Sequence, residues 1–379
     1  MADKMPITPE VLVWARQRSG RTLDDMSDRF RRLSDWESGV DQPSYAQLSR
    51  IATIYNLPVA VFFLPIAPRE AQIRNNFRTL PDSEIESLPP IMRKLLRQAQ
   101  AMQLNLAELQ DKQDVARPNI LSDLQFEPGV SVHEMAALVR SYLSVTVEEV
   151  AELADAKEAF EHWRDRFVDA GIYVFKQAFR DDRFSGFCLY DPSFPVIYVN
   201  NSTTATRQLF TLFHELSHLF FCTGGIDKIH DDYLAMLTGV ERRIEIVCNQ
   251  FAGALLVPDE DIDRLLARMP ATEQTVAWLA GRYKVSRAVI LRKMLDRTLV
   301  TQEFYDTKTQ EWDDQIATRE GAGGNYYNTQ MSYLGRQYIS LALSQYYQNR
   351  ISTTQLAEYL SVKLKNLPRF EAAFLERKL

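Results

Sequence analysis

His214, Glu215, Leu216, Ser217 and His218 spell H-E-x-x-H within residues 203–222, TTATRQLFTLFHELSHLFFC, a stretch that opens on threonines and holds no Gly or Pro. The pattern has meaning only on a helix. There, residues four apart lie one turn apart on one face, so both imidazoles can reach one metal ion while Glu215 projects beside it. The chain has five histidines, and on ordinary composition the pattern arises by chance in roughly one such sequence in a few hundred. Two helix histidines satisfied by hydrogen bonds are the bland alternative, but a chance match has no reason to fall on an unbroken helix that follows strands.

A metal held for catalysis wants three protein ligands and an open fourth position. Residues 239–258, GVERRIEIVCNQFAGALLVP, read as a second helix with Ile244, Val247, Cys248, Phe251, Ala252 and Leu255 on its apolar face and Pro258 at its end. Glu241 and Glu245 are the acidic residues on it, and spacing alone leaves both open as the third ligand.

Ahead of the motif, GIYVFKQ, FSGFCLY and PVIYVNN are rich in β-branched and aromatic residues and bounded by Gly, Asp-Pro and Asn-Asn-Ser. They read as three short strands of a small antiparallel sheet. PVIYVNN, next to the motif helix, is a candidate edge on which an extended substrate chain could add main-chain hydrogen bonds.

Composition narrows the setting. A length of 379 residues implies two to four modules. A net charge of -6 excludes a protein that coats nucleic acid along its whole surface and leaves room only for a local basic face. Cys188, Cys222 and Cys248 are too few and too scattered for a disulfide framework, which fits a reducing compartment. The N-terminus lacks the long apolar core of a secretory signal, and no window approaches the roughly 18 apolar residues of a membrane span. A soluble, cytoplasmic protein without membrane contact is expected.

Residues 9–65 read as five short helices, with Thr22 and Ser44 as N-caps and Pro58 at the start of the fifth. The run Trp36, Glu37, Ser38, Gly39, followed by Gln42, Pro43 and the helix around Leu48, resembles the Xre-type helix-turn-helix domain. The segment in the recognition position, RRLSDWES, is short for a helix that must present three or four side chains to base edges. Residues 1–80 hold eleven Lys or Arg and nine Asp or Glu, so DNA contact and partner docking stand even. Beyond lies a long amphipathic stretch with Met92, Leu95, Leu96, Ala99, Met102, Leu106 and Leu109 on one stripe. A linker helix packed on a neighbour is the leading reading, and a homodimer seam the sharper one.

The second helix carries a further resemblance. Glu245, Cys248, Asn249, Phe251, Ala252, Leu255, Leu256 and Pro258 stand where the ImmA/IrrE metallopeptidase family has E-x-x-A-N-x-F-A and Leu-Leu-x-Pro, with Cys248 replacing the usual Ala. The resemblance implies that Glu245, not Glu241, joins His214 and His218 as a metal ligand. It implies an α+β, mostly α, zincin-like fold. The layout expected is an Xre-like domain over 1–68, a helical linker over 69–125, the metallopeptidase over 126–300 and a C-terminal helical domain over 301–379. Cys248 reads as a packing substitution, with a fourth ligand as the minor alternative.

What the resemblance implies chemically is a zinc-type metallo-endopeptidase. Zn2+ is the expected metal, and Mn2+ also suits two imidazoles and a carboxylate. Glu215 would take a proton from the attacking water and return it to the leaving amine. Tyr198, His230 and Tyr233 are candidates by location for a donor to the oxyanion, and Arg207 for a partner to a substrate carboxylate. The implied substrate is a specific regulatory protein, an Xre-type repressor or antitoxin-like protein, in a stress, mobile-element or phage-response switch. The competing reading is a DNA-binding transcriptional regulator or antitoxin with a structural metal site.

Overall fold

The computed structural model describes residues 4–55, 57–68, 88–110, 118–126, 129–222, 226–228, 239–317 and 325–376; of 226–228, 240, 241 and 313–317 only the backbone is considered. These residues fall into two compact units, one of residues 4–68 and 88–96 and the other from 97 onward.

In the first unit, helices α1 (Pro9–Arg18), α2 (Leu23–Ser27), α3 (Leu33–Glu37) and α4 (Tyr45–Tyr55) lead into a 3-10 turn at Val59–Phe63. Thr22 and Asp25 exchange hydrogen bonds as a capping box at the start of α2, and Ser44 and Gln47 do the same at α4. Leu12, Met26, Leu33, Trp36, Leu48, Ile51 and Phe62 share one core. The Arg16 guanidinium forks onto the Glu37 carboxylate at 2.7 and 2.9 Å and ties α1 to α3. At five residues each, α2 and α3 are shorter than their sequence pattern suggests. The chain leaves the helix at Asp28 and buries Phe30 in the core.

Helix α5 (Pro90–Gln110) gives its first turns to this unit and the rest to the second. Its apolar stripe, from Met92 through Leu109, is buried within the single chain. The stripe is therefore packed.

The second unit continues with α6 (Ile120–Asp123), α7 (Val132–Tyr142), α8 (Val147–Glu152) and α9 (Ala156–Asp169). Strands β1 (Tyr173–Gln177), β2 (Phe184–Leu189) and β3 (Val196–Asn200) precede α10 (Ala205–Phe220), β4 (Ile226–Lys228) and α11 (Gly239–Leu256). Helices α12 (Asp259–Leu266), α13 (Glu273–Tyr283), α14 (Arg287–Asp296), α15 (Gln302–Ala317), α16 (Tyr326–Leu334), α17 (Arg336–Tyr347), α18 (Thr353–Tyr359) and α19 (Leu367–Glu376) complete it. The fold is α+β and mostly helical. No helix among the described residues is long and apolar enough to cross a membrane.

The sheet corrects two expectations. It is mixed rather than antiparallel, in the order β1-β3-β2-β4, with β3 parallel to β1 and antiparallel to β2. β3 is flanked on both sides, so PVIYVNN is not an edge. The hairpin is β2–β3, turned by Asp191, whose carboxylate accepts the N–H groups of Ser193 and Phe194 at 2.8 Å. The link from β1 to β2 must then cross two strand spacings, roughly 10 Å. Asn200, at the end of β3, pins that crossing: its amide donates to the carbonyls of Phe184 and Asp181 and accepts from the Phe179 N–H.

Both faces of this sheet are covered, which is why its strands read as continuous apolar runs. Val174, Cys188, Ile197 and Val199 share a core with Leu209, Leu212, Phe213 and Leu216 of α10. On the other face Phe175, Phe187 and Tyr198 stack together, and Phe175 meets the ring of Tyr338 from α17 edge-on at 5.3 Å.

Candidate metal centre

The centre is built where α10 crosses α11. Thr204 caps α10 by accepting the Arg207 N–H, and from Leu216 to Leu219 the helix is buried on all sides. At the far end of α11, the Arg140 guanidinium of α7 donates to the Leu255 carbonyl at 3.0 and 3.2 Å, a cation on a helix C-terminus that anchors the helix carrying Glu245. Burial brings the Arg140 pKa down to about 10 against the pull of Asp261 and Glu148.

His214 Nε2 and His218 Nε2 lie 3.1 Å apart, His214 Nε2 is 3.3 Å from Glu245 Oε2, and His218 Nε2 is 3.2 Å from Glu245 Oε1. Donors about 2.0–2.2 Å from one tetrahedral ion are roughly 3.3–3.6 Å apart, so the two imidazole nitrogens and the carboxylate, which turns one oxygen to each ring, already have nearly the spacing of three ligands of a single metal. Two imidazoles and a carboxylate are also the donor set of a borderline cation such as zinc. No other His, Cys, Asp or Glu joins the group among the described residues.

Burial alone would raise the Glu245 carboxyl pKa, but His218 and His214 hold it well below the usual carboxylate range. Burial likewise opposes the charged form of His218, and Cys248 and Glu245 reverse that, leaving its pKa raised. The Asn249 Oδ1 sits 3.0 Å from His214 Nδ1, so the ring nitrogen not aimed at the triangle has its own partner.

Glu215 is fully buried beside this triangle. A glycine makes room for it. A Cβ on Gly186 of β2 would stand 2.3 Å from Thr211 Cγ2, 2.8 Å from the Tyr198 carbonyl oxygen and 3.7 Å from Glu215 Cγ. The bare glycine lets α10 approach the sheet closely enough to seat Thr211 and Glu215. Gly186→Ala is therefore expected to destabilise the fold by about 1–3 kcal/mol, read as a shift in the urea midpoint. Thr211→Ser should recover part of that loss. A midpoint unchanged by Gly186→Ala would show that the packing here is slack.

The remaining candidates fare differently. Tyr198 is at the wrong side of the sheet: strand alternation sends it away from α10, into a stack with Phe187 at 5.1 Å, so it cannot serve the oxyanion. Arg207 is half-buried, donates to Ser185 Oγ at 3.0 Å and lies over Phe210, one helical turn short of His214. His230, Tyr233 and the Glu241 side chain lie outside the described residues. Cys248, buried on α11, stands outside the donor group, so the alternative of a fourth ligand is not met. Sequence reading passed over Gly186 and Thr211, whose importance lies in what they leave room for, and gave Asn249 no role beyond its place in a motif.

Residues 168–295 match the family model described as peptidase M78, IrrE N-terminal-like domain. The chain is 40% identical over 111 residues to the radiation response metalloprotease IrrE of Deinococcus deserti, covering 29% of this chain and 39% of that relative. To the radiation response metalloprotease IrrE of Deinococcus radiodurans it is 34% identical over 113 residues, 29% of this chain and 34% of the relative. The match thus spans well under half of either curated relative.

Proposed function

We propose, from residues 168–295 as a domain of the ImmA/IrrE metallopeptidase family, that this chain is a metal-dependent endopeptidase acting on a specific regulatory protein. The observation that carries the reading is the donor triangle of His214, His218 and Glu245, with sides of 3.1 to 3.3 Å, beside the buried Glu215. In this reading the three donors hold Zn2+, or Mn2+ where it prevails. Such an ion supplies Lewis acidity, polarising a peptide carbonyl and acidifying a water.

The chain's own groups carry the rest. His214 is oriented by Asn249 of α11. Glu215, deep in an apolar wall, takes the proton of the attacking water and passes it to the leaving amine. Glu245 balances charge as a carboxylate.

A donor set with three protein ligands among the described residues favours this over the structural-metal alternative, because structural zinc sites close their fourth position with protein. The N-terminal unit suits a docking role better than base reading. A five-residue helix such as α3 is about 7.5 Å long, and Arg32 is spent on Asp35 and Asp41. An Xre-type repressor or antitoxin-like protein is the proposed substrate, and a stress or mobile-element switch the proposed setting. The relatives' printed names, radiation response metalloproteases, lend support to a stress role.

The test is to incubate the zinc-loaded protein with purified Xre-type proteins encoded in the same genome and read the products by mass spectrometry. One defined cut in one candidate, abolished by a chelator and restored by zinc, is the expected outcome. If no candidate is cut while the intact chain shifts operator DNA, the regulator reading replaces it.

A further inference from the structure

Every residue of α10 from Thr211 to Leu219 is buried, so the donor triangle is closed off along the middle of its own helix. The first turns of α10 differ. Ala205, Thr206, Arg207 and Phe210 are only half-buried, and Phe210 rests against the main core on its inner side. Arg207, Phe210 and His214 stand at i, i+3 and i+7, the spacing of one helical face. The Phe210 ring centroid is 6.4 Å from that of His214, with the planes tilted by 32°. On α11, Glu245 is 9% exposed where His218 and Glu215 are fully buried, and the half-buried Asn249 meets His214 Nδ1 at 3.0 Å. Among the described residues, the accessible side of the triangle therefore has Phe210 on α10 and Glu245 and Asn249 on α11.

We infer that Phe210 is a specificity-determining residue of the peptidase, the surface against which a large apolar side chain beside the scissile bond packs. The inference rests on the reading of His214, His218 and Glu245 as metal ligands. Successive residues of an extended substrate are about 3.3 Å apart. A peptide carbonyl brought to the triangle therefore places its flanking side chains close to the His214 ring, and the neighbour of that ring on α10 is Phe210. The ring is held for this contact. Its inner side rests on the core, and the Arg207 guanidinium, fixed to Ser185 Oγ of β2 at 3.0 Å, lies over it at 5.4 Å. A fixed apolar surface left half in water gains by being covered, and a glycine or polar residue at that place in the substrate would forgo the gain. The substrate class is thus a polypeptide with Leu, Met, Phe or a residue of similar size and apolarity next to the cut.

The test is the binding of small hydroxamates to the zinc-loaded full-length protein, measured by calorimetry. A hydroxamate chelates the metal and sets its substituent alongside. Leucine hydroxamate against glycine hydroxamate probes one side of the scissile position, and 2-isobutylsuccinyl hydroxamate against succinyl hydroxamate probes the other. In at least one pair, wild type should bind the isobutyl compound more tightly by about tenfold or more. That ratio should fall to about threefold or less in Phe210→Ala and to an intermediate value in Phe210→Leu, a milder change that decides the matter if the alanine variant does not fold. No preference in either pair for wild type, or a preference undiminished in both variants, would overturn the inference. A wild type that takes up no zinc would instead remove the metal-site reading, and this inference with it.

Discussion

Glu215→Gln is expected to lower the rate of substrate cleavage by about 10²- to 10⁴-fold while leaving the metal content near one ion per chain. Glutamine keeps the size of the side chain and loses the ability to accept a proton, so the change isolates the proposed base from the donor triangle. Replacing Glu245 by Ala should do something different. It removes one of three donors, so metal and activity should disappear together. The pair of variants separates holding the ion from moving the proton. Metal content by elemental analysis and single-turnover cleavage of the identified substrate give the two readouts. Cleavage by Glu215→Gln within tenfold of wild type would mean that another group takes the proton.

The contrast between these two glutamates also marks what the sequence could disclose. His214, Glu215 and His218 are legible because a helix fixes their relation locally. Four residues make one turn whatever the rest of the chain does. Glu245 is thirty residues further on, and the choice between it and Glu241 depends on how α11 is rotated against α10. Periodicity offered both, and the likeness to a family motif selected one. The structure brings it to 3.2 to 3.3 Å from both imidazoles. Gly186 has no such signal, since its value is the Cβ it lacks opposite Thr211.

The same divide runs through the fold. Helix starts at Thr22, Ser44 and Thr204 were legible because capping is decided within four residues. The three strands were legible from their composition, but their order was not. Alternation along a strand reports which residues share a face and says nothing about which strand lies alongside. The parallel β1–β3 pair depends on Asn200 reaching back to Asp181 and Phe184, contacts between residues that look like ordinary turn punctuation. Tyr198 was misjudged for a related reason: nearness to the motif in sequence placed it by the metal, and the pleat turned it to the opposite face.

Arg164→Met should cost about 3–5 kcal/mol of stability, a far larger loss than an ordinary surface arginine would give. The guanidinium of Arg164 is buried in the second unit, where it donates to the Val174 carbonyl of β1 at 2.8 Å. It also reaches the carbonyls of Ser332 and Tyr333 at 2.7 and 2.9 Å, and its Nη1 is 3.3 Å from Glu161. Ser332 and Tyr333 lie in the last turn of α16, where carbonyls have no helical partner, so one cation both caps that helix and bolts it to the sheet. Methionine keeps much of the volume and leaves three carbonyls unmet. Lysine keeps the charge but lacks the planar fork needed to serve three acceptors, and should recover only part of the loss. Gly335 tests the same joint from the other side. It follows α16 with φ at +81°, and a Cβ there would fall 2.6 Å from Arg164 Cζ. Gly335→Ala should therefore be costly in wild type and less so in Arg164→Met, where the clash is with a flexible chain but the backbone strain persists. Urea denaturation of the four proteins of this cycle measures the coupling directly. Additive losses would show that the two residues act separately and that the cap on α16 does not depend on this close approach.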